Sequence, residues 1–294
     1  MFKLSRFQCC LPGLLALSIQ GCVPGEAESS VDTRDWMPQG SFTTGIEGPA
    51  SGPDGSLYVV NFEKQGTIGK VSGENRGELW LQLPGDSVGN SIRFNQQGEM
   101  FVADYVGHNI FRIDSKSGEI LHTYHNPDMH QPNDLALATN GTIYASDPSW
   151  SSNSGQLWRL DTDGTFTLLE KDMGTTNGIE LSPDNKKLYV NESVQRRVYV
   201  YDVLDDGDIT NKQLFMQFDD HGLDGMQTDV KGNLYITRYG AGVVLKVSAD
   251  GKILRTINLQ GQHPTNIAFS LDGRNAYVTM QKRGAIEHFS VDSI

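Results

Sequence analysis

Asn177-Gly178-Ile179-Glu180-Leu181-Ser182-Pro183-Asp184-Asn185-Lys186-Lys187-Leu188-Tyr189-Val190-Asn191 holds a short apolar run, a Ser-Pro-Asp-Asn turn and a second apolar run built around a tyrosine. That pattern is strand, turn, strand. Aligned on its turn residue, the unit recurs at Gly55, Gly98, Gly141, Asn185, Gly232 and Gly273, at spacings of 43, 43, 44, 47 and 41 residues. A period in the forties made of short strands predicts a propeller with one blade per repeat. Six repeats predict an all-β, six-bladed β-propeller.

Each repeat continues in the same grammar. The second strands include Leu57-Tyr58-Val59-Val60 and Leu234-Tyr235-Ile236-Thr237, and third strands follow at Leu157-Trp158-Arg159-Leu160 and Val198-Tyr199-Val200-Tyr201. Fourth strands follow hairpin turns such as Asp163-Gly164 and Asp250-Gly251. The last repeat runs out of chain after its third strand, Ala285 to Val291. Its outer strand is expected from the front of the chain, around Gly40 to Thr44, which would hide the open edge. No helix longer than a turn or two is needed.

Eight residues before each turn stand Glu47, Asn90, Asn133, Asn177, Asp224 and Thr265. Every one carries a side-chain oxygen, and each stands near the start of the innermost strand of its blade. Rotation about the propeller axis aims equivalent positions at one place, so these oxygens are expected to converge at one mouth of the channel with a central metal site between them. Oxygen donors with two carboxylates suit calcium, which takes about 6–8 such ligands. Magnesium, manganese and zinc rank behind it, since histidine is absent from the column. The competing explanation is local, because Asn and Asp also end strands by making Asx turns. Six residues after each turn lies a second polar set, Asn61, Asp104, Asp147, Asn191, Arg238 and Thr279, expected to tie blades together.

The whole chain bounds the function from outside. Formal charge is −12 over 294 residues, so no nucleic-acid or anionic-membrane surface is expected. All three cysteines, Cys9, Cys10 and Cys22, lie in the first 22 residues. That leaves no thiol nucleophile, disulfide or zinc-thiolate site in the body. Lys3 and Arg6 precede a short apolar run, and Ile19-Gln20-Gly21-Cys22 resembles the bacterial lipoprotein box. Residues 1–21 are therefore expected to be an export signal, Cys22 the site of lipidation, 22–35 a flexible tether and 36–294 the propeller. The protein is expected outside the cytoplasm, touching a membrane only through its lipid anchor.

Four segments in register carry a resemblance: Ile46-Glu47-Gly48-Pro49, Pro132-Asn133-Asp134, Asn177-Gly178-Ile179 with Ser182-Pro183-Asp184, and Asp224-Gly225-Met226. Residues from about 40 to 294 resemble the senescence marker protein/gluconolactonase/luciferin-regenerating enzyme family, related to diisopropylfluorophosphatase. The resemblance implies a calcium-dependent six-bladed propeller that hydrolyses lactones, aryl esters or organophosphates. It implies Glu47, Asn177 and Asp224 as metal ligands, with Asn133 completing the shell or holding substrate. It also implies Asp224 as general base or nucleophile. Gln131 stands where the gluconolactonase branch carries an arginine, so Gln131 and Asn133 are the candidate substrate-binding pair. Diisopropylfluorophosphatase holds a second buried calcium with an Asp and a His; here those positions read Gln227 and Ala268, and no such second metal is expected. His125, His130 and His263 approach the same face as candidate proton relays.

These observations together predict a metal-dependent hydrolase of the lactonase type, acting on a small-molecule lactone or ester, with no protein partner in evidence. A non-catalytic ligand-binding propeller pinned by calcium is the reading it competes with.

Overall fold

A computed structural model of the chain describes residues 33–291. Six four-stranded antiparallel sheets are arranged as the blades of a propeller. The first five blades each use four consecutive strands, and their innermost strands are Phe42–Ser51, Gly89–Phe94, Leu135–Leu137, Thr176–Leu181 and Met226–Thr228. In the sixth, Pro264–Phe269, Asn275–Met280 and Ala285–Ser290 are joined by an outermost strand from the other end of the chain. Two single turns of 3-10 helix, Trp150–Ser152 and Gln281–Arg283, are the only helical segments among the described residues.

That closing strand is Arg34–Met37, not the stretch from Gly40 to Thr44. Its register pairs Arg34 with His288, Asp35 with Glu287 and Met37 with Ile286. The reason lies in the composition of an edge. Arg34 and Asp35 are charged because an outermost strand shows one side to water, and charge reads as tether. Strand structure thus begins two residues inside the stretch assigned to the tether. Residues 42–44 instead open a ten-residue innermost strand of blade 1. The closure is clamped by Arg283, whose guanidinium takes both oxygens of Asp35 at 2.8 Å and Glu287 at 2.7 Å. Cys22 and the export segment lie outside the described residues.

The core is divided like the blades. Six apolar clusters form, each filled from two neighbouring blades. Between blades 1 and 2, for example, Tyr58, Val60 and Ile68 meet Ile92, Met100 and Val102. The second-strand tyrosine of the repeat reaches across the interface: Tyr58 meets Phe94 edge-on at 5.4 Å and Tyr235 meets Phe269 at 4.9 Å. Burying side chains of this size stabilises each interface by about 1.5–3 kcal/mol per residue. No blade has a complete core of its own, so the ring must close for any of it to hold.

Candidate active site

Closure brings the innermost strands together around the axis, and the column of polar residues arrives as expected. Glu47, Asn90, Asn133, Asn177, Asp224 and Thr265 all line one cavity of about 450 Å³ at one mouth of the channel. Asn133, Asn177, Asp224 and Thr265 are buried, whereas Glu47 and Asn90 keep some exposure. The strand carrying Glu47 turns immediately after it at Gly48, whose φ of +52° lies in the left-handed region that favours glycine. A Cβ on Gly48 would fall 2.5 Å from the carbonyl oxygen of Asn90. The sequence Glu-Gly therefore lets the backbone of blade 1 press against blade 2 directly beside the carboxylate.

Two of the six are already committed within the protein. The Thr265 hydroxyl lies 3.1 Å from the Ile46 carbonyl and 2.8 Å from the Thr279 hydroxyl, joining blade 6 to blade 1. The Asn90 amide donates to the Asn133 carbonyl at 3.3 Å, joining blade 2 to blade 3. Glu47, Asn133, Asn177 and Asp224 remain as the donor set.

Glu47 and Asp224 face each other across the site, close enough for each to shift the other's carboxyl. Burial lifts the Glu47 carboxyl to about 8, opposed by the Gly48 N–H and assisted by the charge of Asp134. Asp224 is likewise raised well above the usual carboxylate range, by burial first and then by Glu47. Two desolvated carboxylates facing each other with no positive side chain beside them form a site that favours a proton or a cation. No cluster of three or more His, Cys, Asp or Glu residues with metal-binding geometry occurs among the described residues. The set is two carboxylates and two amides, all oxygen donors, which fits a hard divalent ion.

Beneath this floor lies a buried polar layer that sequence reasoning missed. The Arg93 guanidinium contacts Asp134 at 2.9 Å and Glu180 at 3.8 Å. The Ser91 hydroxyl donates to Asp134 at 2.6 Å, and the Asn266 amide approaches its other oxygen at 3.4 Å. Burial lifts Glu180 to about 8 although Arg93 pulls it down. Gln227 accepts the Phe269 N–H at 3.1 Å, and Ala268 packs in an apolar cluster.

The residues that close the second strands tie neighbouring segments together. Asn61 donates to the carbonyls of Gly45 and Gly89, and Asn191 to that of Asp224. Asp147 gathers the backbone N–H groups of His130 and Gln131. Arg238 turns away onto the Phe218 ring and Asp220. Just beyond them, the six loops that follow the second strands put Gln65, Tyr105, Trp150, Ser193, Tyr239 and Gln281 on the cavity wall. In five of the six blades the wall residue directly follows the second strand, a regularity the sequence does contain. Gln131 is not on the wall: its backbone N–H is held by Asp147 and its side chain does not line the cavity. His125 bonds Asn109 on the outer strand of blade 2, and His263 packs on the Tyr239 ring at 5.0 Å. Neither they nor His130 line the cavity.

Comparison with known proteins agrees with this geometry. Residues 45–282 match the family model described as SMP-30/Gluconolactonase/LRE-like region. A gluconolactonase of Zymomonas mobilis is 28% identical over 215 residues, 65% of this chain and 60% of the relative. The pentonolactonase XacC of Haloferax volcanii is 31% identical over 151 residues, 50% of this chain and 52% of the relative. The aligned stretch thus spans less than two thirds of either relative's length. Among solved structures, a gluconolactonase of Xanthomonas campestris superposes with a TM-score of 0.76 at 20% identity, covering 90% of each chain.

Proposed function

The chain belongs to the SMP-30/gluconolactonase/LRE-like family, and from that membership we propose that it is a divalent-cation-dependent hydrolase of lactones and related esters, calcium being the ion its donors suit best. The observation that carries the proposal is the pairing of Glu47 with Asp224 at the floor of the cavity, flanked by Asn133 and Asn177. Those four residues would hold the ion. When bound, a cation there supplies a Lewis acid that polarises a carbonyl and offsets negative charge developing on its oxygen. Asn133 and Asn177 present side-chain amides that orient the ester group. Asp224 accepts a proton from the attacking water as the new C–O bond forms at the carbonyl carbon. The ring C–O bond then breaks, and the same proton passes to the departing alkoxide to give a hydroxy acid. Tyr105, Trp150 and Tyr239 shield the site from bulk water.

On the basic residues Lys3 and Arg6 ahead of a short apolar run, and on Ile19-Gln20-Gly21-Cys22, we also propose that residues 1–21 export the chain and that Cys22 anchors it through lipid. Turnover of a panel of lactones and aryl esters, measured with calcium and again with a chelator, tests the enzymatic reading. Binding of calcium with no turnover across that panel would leave only a ligand-binding propeller.

A further inference from the structure

The cavity wall is built from one residue per blade: Gln65, Tyr105, Trp150, Ser193, Tyr239 and Gln281. None is charged, and three are aromatic. No Lys, Arg or His lines the cavity anywhere. Three arginines of the fold are engaged elsewhere, and the exposed Lys64 and Lys282, next in sequence to Gln65 and Gln281, do not line the cavity. Arg238, at the end of the second strand of blade 5, lies over the Phe218 ring and bonds Asp220 at 2.8 Å. Arg93 lies in the channel below, held by Asp134. Arg283 is taken by Asp35 and Glu287.

A bound carboxylate, sulfonate or phosphate needs a cationic or multiple N–H partner once it leaves water, and leaving it unpaired is costly. This wall offers none. The only formal charges on the lining are the carboxylates of Glu47 and Asp224, which one divalent ion just balances. A second anion would therefore enter uncompensated, on a protein whose formal charge is already −12. The aromatic rings offer instead flat faces against which an apolar ring can stack. Trp150 stays 37% exposed at the mouth, a broad apolar surface open to a ligand.

We infer that the substrate is an uncharged lactone bearing a flat apolar group, and that lactones carrying a carboxylate, sulfonate or phosphate are excluded by this neutral wall. The inference rests on the lactonase reading but is tested apart from it by binding of lactams, which resist hydrolysis. The probes are a benzo-fused six-membered lactam and the same lactam with a ring carboxylate, titrated into the full protein with calcium. The neutral probe is expected to bind at least about tenfold more tightly. Trp150→Ala is expected to weaken it about fivefold, and Gln65→Arg or Ser193→Arg to strengthen the carboxylated probe about tenfold. Equal or tighter binding of the carboxylated lactam to the natural protein overturns the inference, as does binding of neither probe. So does an arginine on the wall that brings no gain. Turnover of the matching lactones is scored separately: selective lactam binding without hydrolysis defeats the lactonase reading and leaves the neutral pocket standing.

Discussion

The side-chain amide of Asn191 donates a 2.6 Å hydrogen bond to the main-chain carbonyl of Asp224. Blade 4 thereby fixes the backbone from which blade 5 offers its carboxylate. The approach is close: a Cβ on Gly178 would lie 2.4 Å from that same carbonyl oxygen. Asn191→Ala is expected to lower kcat about 100-fold while the protein still binds calcium, because small misplacements of a reacting group cost heavily. Circular dichroism with steady-state kinetics checks this. Unchanged kcat in a folded variant would mean that Asp224 is positioned by other contacts.

Glu47→Gln with Asp224→Asn keeps the shape of the site and removes its charge. Calcium is expected to lose its hold, and with it any rise in Tm on adding calcium, since a ligand stabilises only the state that binds it. Titration calorimetry reads the first effect and a thermal melt the second. A double variant that still binds calcium as the natural chain does would place the ion elsewhere.

The raised carboxyls make cation binding depend on pH. A carboxyl whose folded pKa is raised stabilises most fully below its unfolded value, and that contribution is lost as pH rises through the folded value, about 8 for Glu47. With a chelator present, Tm is therefore expected to fall as pH rises from about 5 to about 8. Over the same window calcium must displace fewer protons, so its stabilisation is expected to grow. Melts at several pH values with calcium or EDTA measure both slopes; a calcium-induced shift that is flat with pH counts against the paired carboxyls.

Arg283 clamps the two ends of the chain. The Glu287 side chain it pairs with is fully buried, so Arg283→Ala strands a carboxylate in the blade interface. The expected cost is about 3 kcal/mol of stability, typical of breaking a buried pair from one side. Denaturant titration gives the number, and a loss below about 1 kcal/mol would show the clamp to be no more than a surface ion pair.

Cys22→Ser is expected to release the protein from the membrane fraction of cells that export it, with lipid absent from its N-terminal peptide by mass spectrometry. A chain beginning at Asp32, which retains the closing strand, is expected to keep full hydrolytic activity. An unmodified, freely secreted natural protein would remove the anchor.

The ring at the channel floor was legible because rotation forces equivalent positions to share chemistry: Glu47, Asn133, Asn177 and Asp224 face one axis and must all be polar. The wall was not, because Gln65, Tyr105, Trp150, Ser193, Tyr239 and Gln281 share a position but no chemistry. Arg93, Asp134 and Glu180 were invisible for another reason. They sit on, or just ahead of, different first strands, and only the assembled channel makes them neighbours. The closing strand was misplaced because Arg34 and Asp35, charged as an edge requires, look like linker, whereas Phe42 to Ile46 look like strand and belong to the next blade.

Asp35 and Arg283 lie 248 residues apart in sequence, which sets a schedule for the chain's birth. A ribosome releases residues in order, and the first strand to emerge is the one that must wait longest for its partner. Until the segment around Ile286 is delivered, the interface that Met37 fills stays open and the ring cannot shut. Contacts of such span make folding slow, and a partly made chain exposes strand edges in the meantime. A ring that cannot shut before that segment arrives remains threadable until then, and only an unclosed chain can be drawn end-first through a narrow pore.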